Sequence, residues 1–269
     1  MAKRRQPRAV TDGAPYLQQV GLRDPDFEPR DTYPLDLPWL PQLPITFDSP
    51  VTFLVGENGT GKSTLIEAIA ELSNLPVSGG SRNEAESNHG PEDQSDLAAS
   101  LRPAFSQKPI DGFFLRAEFG AHFASLLDER AADPGFTGDP YSRYGGRSLN
   151  TRSHGEAFLE ILQSQIDTGL FLMDEPESAL SPQRQLVLLA LMHDRIRSGL
   201  SQFIIATHSP ILLTYPGATI YSFDDGRLER TSLKATAHFQ ITHGILEHPE
   251  RYWRHLRSDQ ADTPTDSSD

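Results

Sequence analysis

Residues 51–72, VTFLVGENGTGKSTLIEAIAEL, restrict this chain more than any other stretch. Val51 to Val55 form an apolar, β-branched run that predicts a buried strand. Leu65, Ile66, Ile69 and Leu72 recur at helical spacing and predict a helix. Between them, Gly56-Glu57-Asn58-Gly59-Thr60-Gly61-Lys62-Ser63 matches the phosphate-binding pattern G-x-x-x-x-G-K-[ST]. Glycines let backbone N–H groups close around anionic oxygens with no Cβ in the way, and the helix N-terminus adds its positive end. Lys62 is expected to reach the β- and γ-phosphates of a nucleoside triphosphate and Ser63 to ligate Mg²⁺, with Thr64 continuing the helix. A chance glycine-rich turn would not need the strand before it and the helix after it.

From this unit the chain is expected to be α/β. Apolar runs 170–175 (LFLMDE), 202–207 (QFIIAT) and 219–224 (TIYSFD) read as strands, separated by helical patterns at 153–166 and 181–199. Strands alternating with helices imply a mostly parallel central sheet covered on both faces. In the second helix Ser181 stands at the N-cap position, Pro182 fits the first turn and Gly199 closes the end. Residues 24–50 are proline-rich, which favours extended segments and edge strands, so an antiparallel β part is expected near the N-terminus. A strand at 112–119 and a helix around 121–130 precede a Gly/Tyr/Arg loop, 133–152, long enough to be functional. Residues 76–111 hold few large apolar side chains and are expected to be a mobile surface insertion.

Charge and composition narrow the function classes. There are 24 Lys+Arg against 37 Asp+Glu, a net charge of −13, which argues against a surface that coats nucleic acid indiscriminately but leaves room for a local basic groove. With no cysteine, disulfides and thiolate zinc sites are excluded, which suits the cytoplasm. No apolar run approaches the ~20 residues that a membrane helix needs, so no membrane insertion is expected. Residues 1–14, with Lys3, Arg4, Arg5 and Arg8, read as a basic flexible arm. Residues 15–256 read as a single catalytic domain, and 257–269 as an acidic disordered tail.

Three further stretches carry chemistry. Asp174 and Glu175 follow four apolar residues at the C-terminal end of a buried strand, where ligands bind in open α/β sheets. One carboxylate can hold Mg²⁺ and the other can orient or deprotonate the attacking water; Asp174 is assigned to the metal and Glu175 to the water. Alone, such an acidic pair could simply end a strand. His208 ends another apolar strand on the same edge, where it can hydrogen-bond a γ-phosphate. Ser153 and Glu156 form a capping box at the start of a helix, and a capped helix start with a free hydroxyl and Gly155 is also an anion site, one that could close over the γ-phosphate of a second subunit.

Taken in order, Gly56–Ser63, Ser153-His154-Gly155-Glu156, Asp174-Glu175-Pro176, Ser178-Ala179-Leu180 and His208 resemble the nucleotide-binding domain of the ATP-binding-cassette (ABC) superfamily, over about residues 40–225. GENGTGKS and SHGE look more like the SMC, RecF and DNA-repair branch than the transporter branch. The wider text is similar to small stand-alone bacterial ATPases of the AAA/ABC kind. The resemblance implies the P-loop NTPase fold and an ATPase using ATP and Mg²⁺. It also implies a head-to-tail homodimer in which each phosphate loop faces the other subunit's Ser153 and Gly155. A repair-type role acting on DNA or a DNA-bound partner is implied, with a switch controlling a soluble effector, or a transporter subunit, as alternatives. His154 stands where many cassettes have glycine, and Ser181 where aspartate is usual. No glutamine follows the strand ending near 119; Glu118 is the nearest metal candidate there, and Tyr33 is the candidate to stack on adenine.

Overall fold

The computed structural model describes residues 13–81, 95–109, 111–116, 119–133, 135, 138–142, 144, 146–151 and 154–258. Its centre is a seven-stranded sheet in the order β10 (Glu229–Thr231), β9 (Thr219–Ser222), β3 (Val51–Val55), β8 (Ser201–Ala206), β7 (Gly169–Asp174), β6 (Gly112–Arg116) and β4 (Gly80–Ser81). The five inner strands run parallel, and β10 and β4 close the two edges antiparallel. A second sheet, antiparallel throughout, pairs β1 (Leu17–Leu22) with β2 (Ile45–Thr46) on one side and β5 (Leu101–Phe105) on the other. The expected combination of a parallel centre and an antiparallel part near the N-terminus is observed.

Alternation along the inner strands builds two cores at once, because successive side chains leave a strand on opposite faces. Phe53, Phe171, Met173, Phe203 and Ile205 face one layer, where they meet α3 (Phe119–Ala132), α4 (His154–Gln165) and α5 (Pro182–Ile196) through Phe123, Phe158, Ile161, Leu188 and Met192. Leu54, Leu170, Leu172, Ile204 and Ala206 face the other, where α1 (Lys62–Leu72), α2 (Asp96–Ser100) and β1 cover them through Leu65, Ile69, Leu97 and Leu17. Strands buried on both faces explain why 51–55, 170–173 and 203–206 read as continuous apolar runs.

The register aligns the strand ends that matter. Arg116 pairs with Asp174 across β6 and β7, Asp174 with Ala206 across β7 and β8, and Ala206 with Leu54 across β8 and β3. The loop after Val55, Asp174 itself and the segment after Ala206 therefore emerge side by side at one sheet edge.

Several boundaries differ from expectation. Residues 76–111 are not wholly a surface insertion: among the described residues, β4, α2 and β5 lie within them, with Leu97, Ala98 and Leu101 buried. The Ser95 hydroxyl accepts from Ala98 N (3.2 Å) and donates to Glu71 of α1 (2.8 Å), so a short capped helix docks on α1 without a long apolar stripe to announce it. Ala14, placed in the flexible arm, donates its N–H to Gly199 O at 2.8 Å. At the other end α6 (Ala237–Glu247) and α7 (Pro249–Ser258) follow where no element was foreseen, and α7 runs two residues into the expected acidic tail. Ser181 occupies the N-cap of α5 but makes no side-chain cap bond, while Gly199 does close the chain after it at φ 74°, its N–H on Ile196 O at 2.8 Å. Residues 1–12 and 259–269 lie outside the described residues. No helix among the described residues is long and apolar enough to cross a membrane.

Candidate functional site

The loop between β3 and α1 is braced from both sides. Trp39, fully buried and edge-on to Phe223 at 5.3 Å, donates its indole N–H to Thr60 O at 2.8 Å. Opposite, the Asp224 carboxylate accepts the Glu57 N–H at 2.9 Å and is itself held by the Ser222 hydroxyl at 2.9 Å. Two glycines are required here. Gly56 has φ 148° and Gly61 φ 90°, and a Cβ on Gly61 would come 2.8 Å from a Leu37 methyl. Gly59, at φ 82°, has open space where its Cβ would be, and with Asn58 it forms the exposed crest of the loop. Positive φ at Gly56, Gly59 and Gly61 gives the loop the backbone form in which successive main-chain N–H groups can cradle an anion.

Lys62 lies under that cradle, only 4% exposed, with Nζ donating to Gly56 O (2.6 Å) and Glu57 O (2.9 Å). Burial pushes its ammonium below the ordinary lysine value, against the attraction of Glu175, Asp174, Asp224 and Glu57. The next residue, Ser63, donates its hydroxyl to Asp174 Oδ1 at 3.0 Å, although 111 positions separate them in sequence. Burial raises the Asp174 carboxyl, the Ser63 hydrogen bond opposes this, and Glu175 adds to the rise. A hydroxyl and a carboxylate oxygen so close together fit a hard divalent cation. Among the described residues no cluster of three or more His, Cys, Asp or Glu side chains forms a metal cage, so such an ion would be completed by phosphate and water oxygens, as Mg²⁺ prefers.

Glu175 adopts φ 48°, ψ 52°, a left-handed conformation that costs a non-glycine residue energy and that clusters at working sites. Its N–H reaches back to Ala206 O at 3.0 Å, tying the turn to β8. The side chain, 41% exposed, brings Oε1 to 3.3 Å from His208 Nε2. His208 is fixed in turn: its backbone N–H donates to Glu177 Oε1 at 2.6 Å, and its Nδ1 lies 2.8 Å from Nε2 of His238. Burial pushes the His208 imidazole below the ordinary histidine value, as do Lys62 and, more weakly, His238; Glu175 opposes them. A neutral imidazole and a carboxylate beside a cationic, glycine-lined cradle can hold a water and a phosphoryl group between them.

Lys62, Ser63, Asp174, Glu175 and His208 thus converge on one edge, with Thr64 on the first turn of α1. The exposed Tyr33 hydroxyl is hydrogen-bonded to the Thr64 hydroxyl, which brings the adenine-stacking candidate to the rim of the cradle. Gly155 lies elsewhere: a Cβ there would meet the Arg184 guanidinium and come 3.0 Å from Ala179 O, so in this chain the glycine permits α4 to pack against the segment after Glu175. Ser153 and Glu118 lie outside the described residues. Sequence reading did not single out Trp39, Arg116, Glu177, Asp224 or His238. Arg116, 2.8 Å from Glu67 and paired in register with Asp174, was detectable as the charged end of an apolar strand. His238 had no local signal at all.

Comparison with known proteins agrees with this geometry. Residues 41–90 match a family described as an AAA domain, and residues 156–214 one described as "AAA domain, putative AbiEii toxin, Type IV TA system". The hemin import ATP-binding protein HmuV of Nocardia farcinica is 27% identical over 222 residues, covering 74% of either chain. The ribose import ATP-binding protein RbsA 2 of Burkholderia ambifaria is 25% identical over 169 residues, 58% of this chain, and the match spans only 33% of that longer protein. Among solved structures, an inward-facing putative metal-chelate type ABC transporter superposes with a TM-score of 0.50 at 16% identity, over 84% of this chain and 87% of its own, a likeness of fold. With the phosphate loop, the Ser63–Asp174 pair and the Glu175–His208 pair assembled on one edge of such a fold, these findings support a P-loop ATPase similar to those of the ABC type.

Proposed function

We propose that this protein hydrolyses ATP with Mg²⁺ as a head-to-tail homodimer, and that ATP-driven closure acts on DNA or a DNA-bound partner in the cytoplasm. The observation that carries the hydrolytic part is the Ser63–Asp174 hydrogen bond at 3.0 Å beside the Glu175–His208 contact at 3.3 Å. When bound, Mg²⁺ supplies charge neutralisation on the β- and γ-phosphates. The chain's own groups do the rest. Backbone N–H groups of residues 58–63 cradle the phosphates, Lys62 exchanges its two carbonyl partners for phosphate oxygens, and Tyr33 stacks on the base from the rim. Glu175 orients the attacking water and accepts its proton. His208 donates from Nε2 to the γ-phosphate oxygen, where negative charge must be stabilised. Ser153 and Gly155 of the second copy close over the same phosphate.

The DNA part rests on the SMC- and RecF-like wording of GENGTGKS and SHGE, and on α7, where Arg251, Arg254 and Arg257 make a basic, exposed face on an otherwise acidic chain. A second reading, an ATP-driven switch on a soluble effector, is favoured by the toxin–antitoxin description attached to the family matched over residues 156–214. Steady-state ATP hydrolysis at low salt, with and without linear duplex DNA and with Glu175→Gln as the blank, separates them. Stimulation by DNA is expected. A rate that DNA leaves unchanged, together with no DNA binding at low salt, discards the DNA reading in favour of the effector.

A further inference from the structure

His208 is flanked by a residue that no motif includes. Its Nδ1 lies 2.8 Å from His238 Nε2, with the rings 4.8 Å apart at 64°, edge to face. His238 stands in the first turn of α6, and that turn is held firmly. The Thr236 side chain, 3% exposed, donates to Leu233 O at 2.7 Å and caps the helix by accepting the Phe239 N–H at 3.3 Å. Position 238 is therefore set by backbone geometry rather than by a long free side chain.

A hydrogen bond between two imidazoles needs one donor and one acceptor, and the surroundings decide which is which. On the far side of His208, Nε2 is out of contact with solvent and makes no hydrogen bond among the described residues, but the Glu175 carboxylate lies 3.3 Å away. A bare Nε2 would set its lone pair against carboxylate oxygens, so the favoured neutral tautomer carries its hydrogen on Nε2 and leaves Nδ1 as an acceptor. His238 must then donate from Nε2. Its remaining nitrogen, Nδ1, is out of contact with solvent and has no hydrogen-bond partner among the described residues. In the reverse arrangement that atom would carry a buried N–H with no acceptor, and His208 would turn a lone pair on Glu175. The first assignment is preferred because its outer N–H, on His208 Nε2, has a carboxylate 3.3 Å away, whereas the outer N–H of the reverse one has no acceptor.

We propose that His238 is a positioning residue for ATP hydrolysis, its Nε2–H holding His208 in the tautomer and orientation that present Nε2–H to Glu175 and the γ-phosphate. This rests on the role given to His208 above and adds a second layer to it. The task is that of groups that lock the tautomer of a working histidine from behind, which act on turnover without touching substrate.

The test compares steady-state kinetics of the full-length wild type with His238→Leu, His238→Gln and His208→Ala, alongside imidazole ¹⁵N NMR of the wild type and the His238 variants. Glutamine can place an amide N–H near the position of His Nε2 and should replace the donor. We expect His238→Leu to lower kcat by about 10- to 100-fold, the usual cost of removing such a support, with KM for ATP within about twofold of wild type. We expect His238→Gln to recover most of that loss. The wild-type spectrum should show His208 protonated at Nε2, and the leucine variant a mixture of tautomers. If His208→Ala is slow while His238→Leu turns over normally, this inference fails and the role of His208 stands. If His208→Ala turns over normally, the role of His208 itself fails. A rise in KM at unchanged kcat, or no rescue by glutamine, also overturns the positioning role. Should the leucine variant not fold, a wild-type spectrum with the His208 proton on Nδ1 would decide against it alone.

Discussion

At the scale of single residues, the site concentrates charge that burial makes costly. Lys62, Asp174 and Glu177 are all substantially buried, and each is pushed toward its neutral form chiefly by desolvation. Lys62 answers this with two carbonyl partners, which a triphosphate can replace. Lys62→Ala should weaken ATP binding by about 10- to 100-fold, the loss of one strong charge-assisted contact, read by titration of a fluorescent ATP analogue. Glu177 supports a pH prediction. Its carboxyl is raised by burial, opposed by the His208 backbone N–H that it accepts. A raised folded value means that the folded state binds the proton more tightly. The resulting stability is complete below the ordinary glutamate value and is lost as pH rises through the raised one. Glu177→Gln keeps an acceptor for His208 N–H and removes the charge. Its melting temperature should exceed that of the wild type at pH 8, with the gain shrinking toward pH 4.5, as differential scanning fluorimetry at the two pH values would show.

Elements matter here mainly as braces. β9 and the turn after it deliver Asp224 to one side of the phosphate loop, and the segment before β2 delivers Trp39 to the other. Neither brace is part of the loop motif, yet without them the loop's carbonyls and N–H groups would have to be ordered by the ligand, which lowers affinity. Trp39→Phe removes the indole donor and leaves space beside Leu37 and Phe223. It should cost about 1–3 kcal/mol in urea unfolding, the sum of an unpaired Thr60 carbonyl and incomplete repacking, and should raise KM for ATP more than it lowers kcat. Equal losses in KM and kcat would point to general disruption instead. In the same way α4 is held to the segment after Glu175 by Gly155, beside Arg184, which pairs with Glu156 at 3.2 Å. This couples the helix expected to face a second subunit to the turn that carries Glu175.

For the whole molecule, the edge that gathers Lys62, Asp174, Glu175 and His208 is partly exposed: Lys62 and Asp174 are buried, whereas the Glu175 side chain is 41% and that of His208 25% exposed. Hydrolysis is favoured when water is excluded and donors surround the phosphoryl group, and a second copy across that edge would supply both. Glu175→Gln should bind ATP but turn it over only slowly, and in saturating MgATP it should elute at twice the protomer mass in size-exclusion chromatography with light scattering. A monomer under those conditions contradicts the sandwich. The same variant should lose about 10²- to 10⁴-fold in kcat, the usual contribution of a positioned general base.

What the sequence determined by itself was whatever is encoded locally: the strand–loop–helix of residues 51–72, the acids ending an apolar strand at 174 and 175, the histidine ending another at 208. Each is legible because period, glycine placement and charge act over a few neighbouring residues. A parallel sheet then brings such strand ends together, so the core of the site could be assembled on paper. Within 76–111, residues 95–105 carry no such local signal, because their burial comes from docking on α1 and β1 rather than from their own apolar content. Only the tertiary structure decided that Trp39 and Asp224 brace the loop, that Gly155 packs on its own chain, and that His238, thirty residues beyond His208, stands behind it at 2.8 Å. Those contacts depend on where α4, α6, the segment before β2 and the turn after β9 dock. Docking is set by the summed fit of distant surfaces, which no local pattern records.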